Sequence, residues 1–105
     1  MHPKRLLTSI AILLAACSSS AETVEVRIEK MLFTPDVIRV KPGDTVLWKN
    51  TEVRGYHTVW FQPEKIEESP PLFPDDSWQR TFTTPGEYPY NCGPHPWMTG
   101  RVIVE

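Results

Sequence analysis

From Thr23 onward the chain alternates. Val24, Val26 and Ile28 are apolar, and Glu25, Arg27 and Glu29 between and after them are charged. That is the period-two pattern of a half-buried strand. Val37-Ile38-Arg39-Val40 predicts a second strand, and Thr45-Val46-Leu47-Trp48 opens a third. Thr58-Val59-Trp60-Phe61, Trp78 to Phe82, Tyr88 to Asn91 and Arg101 to Val104 predict the rest. Lys41-Pro42-Gly43-Asp44 and Thr84-Pro85-Gly86-Glu87 separate strands with Pro before Gly, the order a type II turn requires. No segment reads as helix. About seven short strands joined by turns make an all-β sandwich or barrel. Gln62 to Asp76 breaks the rhythm with four prolines and the acids Glu64, Glu67, Glu68, Asp75 and Asp76. It is expected as a surface loop, either simply solvated or serving as an acidic patch for a partner.

Composition narrows this picture. The 105 residues are one domain in length, and 40% hydrophobic with 23% charged residues gives a folded core rather than disorder. A core this small is marginal unless something adds stability, and a metal does so. Eleven prolines against five glycines agree with turns and edges, not long helices. The formal net charge of −2 argues against nucleic acid as a partner, because phosphate binding needs clustered Lys and Arg.

The N-terminus stands outside the expected fold. A basic stretch, His2-Pro3-Lys4-Arg5, precedes an apolar run of 11 residues from Leu6 to Ala16. Such a run is too short to span a bilayer and suits a signal-peptide core. Leu14-Ala15-Ala16-Cys17 resembles the lipobox of bacterial lipoproteins, in which the chain is cut before a cysteine that then carries lipid. An ordinary secretory signal with a chance cysteine is the alternative. The expected organisation is a signal peptide over 1–16, a lipidated Cys17 with its polar tether over 17–22, and the folded domain over 23–105. Cleavage removes Lys4 and Arg5 from the 11 basic residues, leaving 9 against 13 acidic ones, formally −4. If Cys17 is lipidated, Cys92 has no partner. A lone cysteine in an oxidising compartment needs a reason to survive, and metal ligation is one.

The segment Cys92-Gly93-Pro94-His95-Pro96-Trp97-Met98 places a thiol, an imidazole and a thioether within seven residues. Glycine and two prolines between them cannot continue a helix or a central strand, so a tight loop is left. Thiolate and thioether select soft ions, above all Cu(I), and imidazole suits Cu(II) as well. Two His and one Cys in a plane with a weak axial Met is the blue-copper arrangement. With His2 in the signal peptide, the second histidine is His57, 35 residues upstream at the start of a predicted strand. Each residue has a plainer use: His57 as a buried histidine, Met98 as core packing, Cys92 as an inert thiol. All four in this spacing point to one copper ion, cycling between Cu(I) and Cu(II), on His57, Cys92, His95 and Met98.

Here the chain resembles a known family, the cupredoxins or small blue copper proteins, over residues 23–105. The resemblance runs through Phe33-Thr34-Pro35, Val40 to Val46, Trp48-Lys49-Asn50, His57-Thr58-Val59, Phe82, Pro85-Gly86-Glu87-Tyr88 and Cys92 to Val104. The two-residue gap between His95 and Met98 is the short ligand loop of the amicyanin type, where plastocyanin-like loops are longer. The family implies a Greek-key β-sandwich of seven to eight strands with copper at one end, bound through the Nδ1 atoms of both histidines. Two features depart from it: Trp97 stands where amicyanin-like loops usually carry phenylalanine, and a lipobox replaces the usual soluble export signal.

Several roles follow as expectations. The function is single-electron transfer between redox protein partners, not catalysis; enzymes of this build need a further metal centre, and only two histidines remain after signal removal. A copper carrier that hands its ion to another protein is the alternative. His95 is the expected electron port, and Pro94, Pro96 and Trp97 form a small docking surface, unless Trp97 packs in the core. Asn50 is expected to hydrogen-bond the loop that carries Cys92. Pro94 withholds an N–H from the Cys92 sulfur. The protein is expected to be an exported monomer in the periplasm, held to a bacterial membrane by lipid on Cys17.

Overall fold

A computed structural model describes residues 20–105; the predicted signal peptide and Cys17 lie outside the described residues. Seven strands form: β1 (Thr23–Glu29), β2 (Leu32–Thr34), β3 (Val37–Val40), β4 (Thr45–Asn50), β5 (Ser77–Thr81), β6 (Gly86–Asn91) and β7 (Thr99–Val104). They make a four-stranded sheet in the order β2-β1-β4-β5 and a three-stranded sheet in the order β3-β7-β6. The chain crosses between sheets after β2, β3 and β5, which gives the parallel pairs β1/β4 and β3/β7 among antiparallel neighbours. The all-β sandwich read from the alternation is therefore observed.

The alternation explains the layers. In β1 the residues Val26 and Ile28 are buried while Glu25 and Arg27 are exposed. In β4 the inward positions are Val46, Trp48 and Asn50. Between the sheets Trp48 packs on Tyr90, Phe61 and Trp78, with ring centroids 5.3, 5.9 and 5.6 Å away. Aromatic burial of this kind dominates the stability of a small core. Arg80 stacks its guanidinium 4.5 Å from the Phe61 and Phe82 rings and donates twice to Glu64, at 2.8 Å each. This closes the lower edge of the core with a paired charge.

The first Pro-Gly turn forms as read. Gly43 has φ +98°, a conformation that glycine adopts at little cost, and the Asp44 N–H donates to the Lys41 carbonyl at 3.0 Å. The Asp44 carboxylate accepts from the N–H groups of Lys41 and Glu22. At the second turn the Tyr88 hydroxyl donates to the Thr84 carbonyl at 2.6 Å.

Two expectations need correction and a third needs refining. Leu32–Thr34 is a strand that the pattern did not reveal. It follows a two-residue turn in which Lys30 and Met31 both have positive φ, +54° and +60°, without the Gly or Asn that normally marks such a turn. Thr58–Phe61 is not a continuous strand: His57 bridges to Leu72 on one side, and Trp60 bridges to Asn91 on the other. The facing segment contains Pro70 and Pro71, which have no N–H to donate, so no ladder can continue there. Finally, Gln62–Asp76 is a largely exposed surface loop as read, but it is fixed to the body at two points. After a single 3₁₀ turn at Gln62–Glu64 it runs as a strap against the body, with Ser69 and Leu72 buried. Glu64 is taken by Arg80 and Glu68 by Thr58, so these acids do not form a free acidic patch.

Candidate metal centre

The loop Cys92–Met98 joins β6 to β7, and its ends are pinned because Asn91 pairs with Thr99 across the two strands. Inside the loop the Cys92 N–H donates to the Met98 carbonyl at 3.0 Å and the Met98 N–H donates to the His95 carbonyl at 2.8 Å. Pro94 and Pro96 fix φ at two of the intervening positions. The loop is thus tied to itself, with Cys92 and Met98 buried, His95 half-buried, and Pro94, Pro96 and Trp97 exposed. Trp97 is 69% exposed, which rules out the core-packing reading.

His57 arrives by a different route. Its backbone exchanges two hydrogen bonds with Leu72 of the strap, at 3.1 and 2.8 Å. Val59 is held the same way: its N–H donates to the Ser69 hydroxyl and its carbonyl accepts from the Ser69 N–H. Trp60 pairs with Asn91, immediately before Cys92, and so carries this segment alongside the loop.

The two routes converge. The Cys92 Sγ lies 3.6 Å from the Nδ1 of His57 and 3.6 Å from the Nδ1 of His95. All three donor atoms fall within 4.8 Å of one another. Metal–nitrogen and metal–sulfur bonds of about 2.0–2.3 Å separate donors in one plane by about 3.7 Å, so these spacings fit donors that share one ion. Both histidines present Nδ1, as the family resemblance implied. Among the described residues Cys92 is the free cysteine, and it is fully buried. The soft sulfur with two imidazoles is the donor set that copper takes in both oxidation states. Met98, 1% exposed, closes the same loop through its backbone bonds to Cys92 and His95.

Surrounding groups tune these donors. Burial pushes the His57 imidazole below its ordinary range; the Glu52 carboxylate works against that, and His95 adds to it. A neutral imidazole is the form that binds a metal. Glu52 Oε2 stands 3.8 Å from His57 Nε2 and favours the proton there, which leaves Nδ1 free for the metal. The same carboxylate oxygen accepts the Met31 N–H at 2.7 Å, so Glu52 also closes the strained β1–β2 turn. The Thr58 N–H points at the Cys92 sulfur at 3.4 Å. Glu52 and Thr58 carried no sequence signal as site residues; Thr58 entered only as a neighbour of His57.

Asn50 does not do what was expected of it. It is fully buried, but its amide donates to the Leu72 carbonyl at 2.8 Å and accepts from the Glu52 N–H at 2.9 Å. It therefore fixes the strap and the Glu52 turn on the His57 side. The Cys92 loop is held instead by Thr58, whose hydroxyl accepts the Gly93 N–H at 2.8 Å. The reason is positional: Asn50 ends β4 against the strap, where its backbone pairs with Asp75 and Asp76 and its amide meets Leu72.

Residues 20–105 match the family of copper binding proteins of the plastocyanin/azurin type. The chain belongs to that family. It is 40% identical over 95 residues to amicyanin-alpha of Methylorubrum extorquens, covering 87% of this chain and 79% of that protein. It is 39% identical to amicyanin of Paracoccus versutus, covering 87% of this chain and 71% of the relative. A solved amicyanin variant in its Cu(I) form superposes with a TM-score of 0.75 at 37% identity, over 79% of this chain and 82% of that one. An oxidised amicyanin variant gives the same TM-score at 36% identity, over 87% and 89%. The cupredoxin fold and the copper-binding family are thus established independently of the site's geometry.

Proposed function

We propose that this chain carries single electrons between redox proteins outside the cytoplasm, through one copper ion held by His57, Cys92, His95 and Met98. The observation that carries this reading is the convergence of three donor atoms, two imidazole Nδ1 and one sulfur, from elements that are each pinned by their own backbone hydrogen bonds. A copper ion bound there supplies reversible one-electron exchange. The protein's part is to keep its donors still, so that little has to rearrange when the charge changes. Hydrogen bonds within the loop hold Cys92, His95 and Met98, and the strap holds His57.

His95 is the ligand that approaches solvent, and its ring lies 5.3 Å from exposed Trp97. Trp97, Pro94 and Pro96 then offer a small apolar face to a partner, of the size that weak redox complexes use. The domain spans 23–105, preceded by a signal peptide over 1–16 and a tether over 17–22. Lipid on Cys17 would anchor a monomer to a bacterial membrane on the periplasmic side. Each buried CH₂ contributes about 0.8 kcal/mol, so two or more acyl chains hold stably.

The purified protein should turn intensely blue with Cu(II), bleach with a mild reductant and recover its colour with an oxidant. A protein that binds only Cu(I), without colour, would instead be a delivery protein. For the anchor, Cys17→Ser should move the protein from the membrane to the soluble fraction. Wild-type protein that is wholly soluble and cut after another residue would defeat that part.

A further inference from the structure

The strap sends one acid towards the loop. Gly93, next to Cys92, donates its N–H to the Thr58 hydroxyl at 2.8 Å, and that hydroxyl donates to the Glu68 carboxylate at 2.6 Å. Thr58 also gives its own N–H to the Cys92 sulfur. Glu68 thus stands two hydrogen bonds from the backbone beside the sulfur ligand. Room for it exists only because residue 93 has no side chain: a Cβ there would overlap the Glu68 carboxylate and crowd the Thr58 oxygen. Glu68 is half-buried, and among the described residues no Lys or Arg stands within ion-pair distance of it. Its neighbour Ser69 is buried and bonded to Val59, so the carboxylate is held in place, not left to swing on a free loop.

We propose that Glu68 is a positioning residue that sets the reduction potential of the copper site, by its charge and by holding Gly93 through Thr58. The inference rests on the copper reading above. When the site accepts one electron from a donor protein, its net charge falls by one and no bond is made or broken. A fixed negative charge nearby opposes that change, more strongly in a half-buried place than in water. Glu68 therefore favours Cu(II), and the chain would be a weaker oxidant than the same site without it. The hydroxyl bridge adds a mechanical role. A charge-assisted bond at Thr58 keeps that hydroxyl turned to accept from Gly93, which steadies the residue next to the sulfur.

Two variants separate these roles. Glu68→Gln keeps an acceptor for the Thr58 hydroxyl and removes the charge. In a redox buffer of fixed potential its Cu(I):Cu(II) ratio should rise several-fold, where tenfold corresponds to 59 mV for one electron. Its copper off-rate should stay within about twofold of wild type, because an uncharged acceptor still orders the bridge. Glu68→Ala removes both the charge and the acceptor, so in the copper-free protein the Gly93 and Thr58 amides should exchange faster with solvent. An unchanged or lower Cu(I):Cu(II) ratio in Glu68→Gln overturns the electronic role. Unchanged amide exchange in Glu68→Ala overturns the mechanical one. Should Glu68→Ala fail to fold, Glu68→Gln decides the electronic role, and the same amide exchange measured in Glu68→Met, which keeps the bulk but not the carboxylate, decides the mechanical one. If wild-type protein takes up no blue Cu(II), the copper reading fails by itself, and amide exchange without metal still decides whether Glu68 holds the loop.

Discussion

The two halves of the candidate copper site are built in opposite ways. Cys92, His95 and Met98 sit on one seven-residue loop that is closed by its own backbone, pinned at its ends by the β6–β7 pair and tied at Gly93 to Thr58. His57 is held by a strap that is 15 residues away in sequence at Leu72, which buried Asn50 fixes in turn, and half-buried Glu52 stands beside its ring. A local loop needs few residues to specify it, and prolines stiffen it cheaply. A long-range arm depends on many contacts at once, so it is where single substitutions should cost stability rather than colour.

That contrast can be broken experimentally. The largest effect is expected from Cys92→Ala, which should abolish the blue colour entirely, because the colour comes from the copper–sulfur bond. A visible spectrum unchanged from wild type would refute the site. Next comes Asn50→Ala, which leaves the Glu52 N–H without its partner and takes one of two donors, the other being the His57 N–H, from the buried Leu72 carbonyl. At about 1–3 kcal/mol for one unsatisfied group, the copper-free protein should lose about 1–3 kcal/mol in denaturant unfolding, while refolded protein still turns blue. A loss of colour without loss of stability would mean that the arm is part of the ligand machinery after all.

Pro94→Ala acts on the loop and should be smaller. It supplies an N–H two residues past Cys92, where the sulfur now receives one from Thr58. A second hydrogen bond withdraws charge from the sulfur and favours Cu(I), so the potential should rise, by a fraction of the roughly 1.5–3 kcal/mol such a bond contributes. A potential that stays fixed while copper leaves faster would assign Pro94 to stiffness alone.

The gentlest test uses pH on the copper-free protein. Burial holds the His57 imidazole below its ordinary range, so the unfolded chain binds the proton more readily than the folded one. The resulting penalty is absent well above the ordinary histidine pKa of about 6.5 and grows as pH falls from there through the folded value. Stability measured at steps from neutral to mildly acid pH should decline, and His57→Asn should flatten that part of the curve. An identical slope in the variant would assign the decline to other groups.

The loop was legible because its chemistry is contiguous: three donors, a glycine and two prolines in one run leave few alternatives. The sheets were legible because period-two burial is a local property of β1, β3, β4 and β7. The long-range supports of His57 and of Gly93 were not. Glu52, Thr58 and Glu68 look like ordinary surface residues in one dimension, and only the strap's path brings Glu68 to Thr58. Asn50 could be seen to matter, being a polar residue ending an apolar strand, but its partner could not be read. Strand β2 was hidden because Lys30-Met31 carries none of the turn chemistry that usually announces a tight hairpin; the stabilising group, Glu52, lies 21 residues on from Met31. The apparent strand at Thr58–Phe61 failed for a related reason, since its two edges face different segments.

One carboxylate, on Glu52, both closes the β1–β2 turn and stands behind His57. A genetic screen would expose this double duty. Among descendants of a pale Glu52→Ala parent, second-site suppressors should arise at Lys30 and Met31, as changes to glycine or asparagine that accept a left-handed backbone without help. Such suppressors would restore the hairpin and the yield of folded protein, yet leave the hue displaced from wild type, because His57 would still lack its neighbour. Yield and hue would segregate as two separate phenotypes of one lost side chain.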